Sequence, residues 1–280
     1  MANCVKRGPQ PKPWFTVPFD EARKAIFVRE CSTPTEFDQL KSRTHYNAAW
    51  NAGHIQPDVR QTEGGTVVAF FDTPEQAADV PWALWSRILQ LFKRPDGTPY
   101  TIFFCAHPAP RTFPERTGET VKPLHINGGY TYPCEATCVF VYRAEDATRV
   151  LLHELFHAAC SDAPHLDMER REAETEAWAE LMWCAFMAGG TLHTLESLVA
   201  KQARWMAAQN HRLREGAHME AGATGFPWRY TIGKEDVWRR WGLTTAASSA
   251  PKAATSLRLT MNPTAAMKQR EGVRPRSTIL

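Results

Sequence analysis

The chain has no apolar run long enough to cross a bilayer. Its most apolar stretch, 177–190, is short and carries Glu180, well below the roughly 20 apolar residues that a spanning helix needs. A membrane-embedded protein is not expected. The opening residues, Met-Ala-Asn-Cys-Val-Lys-Arg-Gly-Pro, lack an apolar run as well, so no secretory leader is expected. There is no internal repeat and no glycine-rich phosphate loop, which argues against solenoids and P-loop nucleotide sites. Strong charge is also missing. The net charge is +3 at pH 7, so the molecule as a whole is no obvious polyanion binder. Seven cysteines, an odd number without a leader, read as reduced thiols of an intracellular, cytoplasmic protein. Cys134 and Cys138 are too widely spaced for a CxxC knuckle, and no second pair completes a four-thiolate site. They read as packing residues on or beside a strand.

What remains is an ordinary globular composition, 43% hydrophobic and 22% charged over 280 residues, ample for a buried core. Residues 1–13 read as an irregular arm, 14–244 as a single domain, and 245–280 as a basic tail. In the tail Lys252, Arg258, Lys268, Arg270, Arg274 and Arg276 face Glu271 alone. Its Ala/Ser/Thr/Pro-rich composition offers little to bury and predicts disorder. Strand-like runs lie at 14–17, 25–28, 66–71, 100–106, 124–132 and 136–142. Thr33-Pro34-Thr35-Glu36 and Thr73-Pro74-Glu75-Gln76 both carry the threonine cap, early proline and third-position acid or amide of a helix start. Further helices are predicted over 82–92, 168–187 (closed by Gly189-Gly190), 192–214 and 234–241.

The organising stretch is 150–160, which holds His153, Glu154 and His157 in the order H-E-x-x-H. Residues four apart share a helix face, so both imidazoles can point at one ion. Glu154 sits about 100° round the helix, beside the ion, where it can take a proton from an activated water. Val150, Leu151, Leu152, Leu155, Phe156, Ala158 and Ala159 make the helix apolar nearly all round. The competing reading is a core helix with two satisfied histidines.

A catalytic zinc usually takes three protein ligands and leaves one position for water. The extended pattern HExxHxxGxxH fails twice here, at Cys160 and at Ala163. The next helix offers Glu169, Glu172, Glu174, Glu176 and Glu180, of which Glu172, Glu176 and Glu180 form one stripe. These glutamates lack the opposite charges four residues away that a solvated acidic face would carry, since Arg170 and Arg171 lie only at the start.

With H153-E154-L-F-H157 followed by Glu176-Ala-Trp-Ala-Glu180, residues 150–182 resemble the gluzincin zinc metallopeptidases. The resemblance implies Zn2+ held by His153, His157 and Glu176, Glu154 as general base, and Glu180 orienting a ligand histidine. Glutamate rather than aspartate at 180 departs from the usual pattern. Glu172 has the same spacing to Glu176 and is the alternative third ligand, with His165 and Cys138 behind it. The implied fold is α+β and zincin-like: a small N-terminal mixed or antiparallel sheet with helices, an active-site helix, a glutamate helix and a helical C-terminal part.

The implied reaction is hydrolysis of a peptide or protein substrate by zinc-activated water. A second donor to the oxyanion is needed, and Tyr230 and His218 are preferred over His193 and His211 because irregular segments can line a cleft. Residues 124–132 are placed to pair with an extended peptide, with Gly128-Gly129 allowing close approach; the rival reading of Asn127-Gly128 is a hairpin turn. Two other functions compete: an inactive zincin-like structural or binding protein, and a virion or nucleic-acid-associated component tethered by the basic tail.

Overall fold

The computed structural model describes residues 10–219, 225–244 and 254–271. The protein is α+β, with one mixed sheet of six strands. In chain order the elements begin β1 (Phe15–Thr16), α1 (Glu21–Ser32), α2 (Ser42–Asn51), β2 (Asp58–Thr62) and β3 (Gly65–Phe70). There follow α3 (Pro74–Ala78), α4 (Trp82–Leu91), β4 (Tyr100–Cys105), α5 (Pro123–Ile126), β5 (Gly129–Thr131) and β6 (Val139–Val141). The remainder is helical: α6 (Ala147–Ala158), α7 (Met168–Ala188), α8 (Leu192–Glu215), α9 (Phe226–Trp228), a π-helical turn (Arg229–Gly233), α10 (Lys234–Arg240) and α11 (Ala265–Glu271). Among the described residues no helix is long and apolar enough to cross a membrane.

The chain divides into two compact units. The first is built from Arg7–Ala109, Gly128–Cys160 and the described part of Pro263–Leu280, and it contains the whole sheet, in the order β1-β2-β3-β4-β6-β5. β3, β4 and β6 run parallel at its centre, while β1, β2 and β5 pair antiparallel. Every residue of β3 and β4 is buried, as expected of parallel strands covered on both faces. Side chains alternate across the strands. Val68, Phe70, Phe103 and Phe140 therefore share one core with Phe27 of α1 and Tyr46 of α2, and Phe27 stacks on Phe70 at 4.5 Å. Phe104 meets Trp85 of α4 edge-on at 5.3 Å.

Two local expectations give way here. Residues 25–28 belong to α1, not a strand, because the Asp20 carboxylate accepts the Arg23 amide and caps a helix that buries Phe27. The helix expected from Thr33 starts only at Ser42, since Thr33 instead closes α1, its amide and hydroxyl both donating to the Arg29 carbonyl. The second capping box is as read: Thr73 and Gln76 satisfy each other's backbone at the start of α3.

The second unit, Pro110–Asn127 with Ser161–Asn262, is mainly helical. α7 runs to Gly189, whose left-handed φ of 63° ends it. The buried Lys234 ammonium lies 3.1 Å from the Glu180 carboxylate, and the Trp238 indole donates to the Ala177 carbonyl. Residues 254–261, expected to be disordered, are fixed against α8. Gln202 bonds both the Leu259 carbonyl and the Met261 amide, Gln209 donates to the Ser256 and Arg258 carbonyls, and Arg212 donates to the Ala254 carbonyl. Composition hides this order, because the partners are side chains some fifty residues upstream. The rest of the expected tail, 245–253 and 272–280, lies outside the described residues, as does most of the expected N-terminal arm.

Candidate metal centre

α6 is held along its length by the sheet unit. Trp85 of α4 donates its indole N–H to Thr148 Oγ1 at 3.0 Å, and Phe92 meets Phe156 edge-on at 5.0 Å. Val150, Leu151, Leu152 and Leu155 are buried, so the helix is anchored by apolar packing rather than by propensity. At its C-terminal end Arg94 Nη1 donates to the Ala158 carbonyl at 2.7 Å. The Cys134 amide donates to the His157 carbonyl at 2.9 Å.

On this helix the His153 and His157 rings stand at 79° to each other with their Nε2 atoms 3.0 Å apart. Two nitrogens bound at roughly 2.0–2.1 Å to a tetrahedral zinc would be about 3.3 Å apart. Both rings are buried; at this separation one Nε2–H can donate to the other Nε2, and a cation held by both nitrogens would take the place of that bond. Glu154 is also buried. Its Oε1 lies against Gly129 of β5, where an added β-carbon would stand 2.8 Å away.

His153, His157 and Glu172 form a group that could hold a metal ion: one ligand atom from each lies within 4.8 Å of the others. Among the described residues this is the one such group of His, Cys, Asp and Glu. Glu172, rather than the preferred Glu176, is thus its third member. A spacing of four puts both on one stripe, so the sequence could not separate them. Glu176 is buried one turn further on. His165 and Cys138 are not in the group; burial pushes the Cys138 thiol up to about 12.

The other glutamates of α7 find cations from later in the chain. Glu169 lies 3.7 Å from Arg229, Glu174 lies 3.2 Å from Arg240, and Glu180 pairs with Lys234. The missing i,i+4 partners are therefore replaced by non-local ones, a solution that helical spacing cannot show. Glu180, expected to orient a ligand histidine, has the Lys234 ammonium 3.1 Å away.

Tyr230 lies in the π-helical turn, half-buried, edge-on to Phe226 at 5.1 Å. That turn packs on the N-terminal half of α7: an added β-carbon at Gly233 would stand 3.0 Å from Ala173 Cβ. His218 has a different role. Its Nδ1 donates to the Glu119 carbonyl at 2.8 Å and its own carbonyl accepts the Val121 amide, so it ties 118–121 to the end of α8. The strand candidate 124–132 splits into α5 and β5, and β5 is the last strand of the sheet. The turn that joins β5 to β6 is 132–138, not Asn127-Gly128.

One feature beside α6 leaves no local signal in the sequence. Cys134 and Cys160 are joined in a disulfide, with Cα atoms 4.6 Å apart. The expectation of seven reduced thiols, with Cys134 as a packing residue, is corrected. A separation of 26 residues gives no local signal; the pairing exists because the β5–β6 turn returns to the end of α6.

Neither a protein-family model, a curated protein nor a solved structure matches the chain.

Proposed function

We propose that the chain is a zinc-dependent peptidase with a zincin-like fold. The observation that carries this reading is the group of His153, His157 and Glu172, with one ligand atom from each within 4.8 Å of the others, the two histidines standing on the helix that also carries Glu154. Two imidazoles and one carboxylate are the donor set of zinc hydrolases, and three protein donors leave a position open. Hard cations such as Mg2+ and Ca2+ prefer all-oxygen sites, so the two nitrogens favour zinc. A bound zinc ion would supply Lewis acidity and bring the pKa of a water on it toward about 7.

The chain's own residues then do the rest. Glu154 accepts a proton from the attacking water and returns it to the leaving amine. Tyr230, carried on the π-helical turn that packs on α7, is the proposed donor to the oxyanion. β5, the terminal strand, is the proposed partner for an extended peptide through main-chain hydrogen bonds.

The test compares metal content and peptide-library cleavage in wild type, Glu154→Gln and His157→Ala. Glu154→Gln keeps one zinc and loses cleavage by about 10²–10⁴-fold, whereas His157→Ala loses both. Full zinc occupancy in His157→Ala would refute the ligand set, and undiminished cleavage by Glu154→Gln would refute the base.

A further inference from the structure

The β5–β6 turn is fastened to the last turn of α6 at several points. The carbonyl of His157 accepts both the Cys134 amide, at 2.9 Å, and the Cys160 amide, at 3.1 Å. Arg94 Nη1 bridges the same two segments, donating to the Ala158 carbonyl at 2.7 Å and the Cys134 carbonyl at 3.2 Å. Cys134 and Cys160 both hold left-handed backbone, with φ of 64° and 55°, a region that L residues other than Asn and Asp rarely adopt. The disulfide between them closes a loop that contains β6 and the whole of α6, and with it His153, Glu154 and His157.

Both bridged cysteines are exposed, whereas Cys31, Cys105, Cys138 and Cys184 are free and buried. Burial pushes the Cys31 and Cys138 thiols up to about 12, and those of Cys105 and Cys184 well above their usual value. Thiol–disulfide exchange needs a thiolate with access to sulfur. None of these four described thiols supplies either, and a dithiol from solution can reach the exposed Cys134–Cys160 pair.

We propose that the Cys134–Cys160 disulfide positions the ligand His157, so that its reduction by a dithiol in solution weakens metal binding at the His153–His157–Glu172 group. The inference rests on reading His157 as a metal ligand. In the exchange, a thiolate of the dithiol attacks one sulfur of the pair and expels the other cysteine as a thiolate, which takes up a proton. The second thiol of the reagent then displaces the first cysteine, which is protonated in turn. Two electrons and two protons pass to the cysteine pair, and the reagent leaves as its cyclic disulfide. Freed of the bridge, the left-handed Cys134 and Cys160 relax, and the two amide bonds to the His157 carbonyl are no longer enforced.

The test is a zinc affinity titration against a chromophoric chelator on the full chain. It uses oxidised wild type, reduced wild type freed of reagent under inert gas, reoxidised wild type, and Cys134→Ser/Cys160→Ser. Oxidised and reoxidised protein should bind at least tenfold more tightly than the reduced and double-serine forms. Affinities equal within twofold across the redox states would overturn the coupling while leaving the metal reading intact; no zinc binding by oxidised wild type would overturn both. Amide hydrogen exchange on zinc-free reduced wild type guards against a folding artefact. Faster exchange confined to residues 157–160 supports the proposal, and unchanged exchange there, or protection lost throughout the chain, overturns it.

Discussion

Gly129 lies so close to α6 that a β-carbon on it would stand 2.6 Å from Val150 Cγ1, 2.7 Å from the Phe140 carbonyl oxygen and 2.8 Å from Glu154 Oε1. The close approach that a glycine pair permits is used here by the chain's own helix. Gly129→Ala must push either the strand or the Glu154 carboxylate aside, and overpacking of this kind costs about 1–3 kcal/mol. Denaturant unfolding of the variant checks that loss, and its cleavage should fall with it if Glu154 is the base. Lys234 poses the opposite problem. Lys234→Met removes the ammonium beside a fully buried Glu180, and breaking such a pair from one side costs about 3–5 kcal/mol. Glu180→Gln/Lys234→Met should recover much of the loss, as chemical denaturation of the single and double variants would reveal. His107 gives a pH signature. Burial, then the Arg143 and His45 charges, holds its imidazole below the ordinary 6.5. As pH falls below that value the unfolded chain takes up the proton first, so stability is complete above it and declines below. His107→Gln should flatten that decline in urea midpoints measured between about pH 7 and 5.

At the scale of elements, α6 and α7 make the sharpest prediction. A ligand that binds only the folded state at about 100 times its Kd adds about 2.7 kcal/mol. Zinc should therefore raise the thermal midpoint of wild type and of Glu176→Ala, and leave those of His157→Ala and Glu172→Ala unmoved; scanning calorimetry with and without zinc decides it. The elements legible in advance were those whose signal is local. The capping box at Thr73 and Gln76, the buried runs of β3 and β4, the apolar sheath of α6 and the Gly189 stop of α7 all depend on neighbours within a few residues. Where the deciding partner is remote, local reading fails. Phe27 looks like strand content until Asp20 caps its helix. Glu169, Glu174 and Glu180 look unneutralised until Arg229, Arg240 and Lys234 arrive. Glu172 and Glu176 share one stripe, so periodicity cannot choose between them, and the union of Cys134 with Cys160 depends on a turn 26 residues away and leaves no periodic trace either.

For the whole molecule, the described part of the basic C-terminal segment is a structural component. Leu257, Leu259 and Met261 are buried, and each such side chain contributes roughly 1.5–3 kcal/mol. Deleting everything after Thr244 should lower stability by on the order of 4 kcal/mol or more by that measure, read as a shift of the urea midpoint. A plain electrostatic tether would come off without cost. Sheet order has a consequence in time. β3, β4 and β6 are parallel neighbours drawn from residues 65–70, 100–105 and 139–141. Each junction must close a loop of roughly thirty residues before any contact rewards it, and pairings of this kind make folding slow. Yet all six strands precede residue 142. On the ribosome the sheet can be complete before α7 has been synthesised, and α6 then emerges onto a surface already waiting for it.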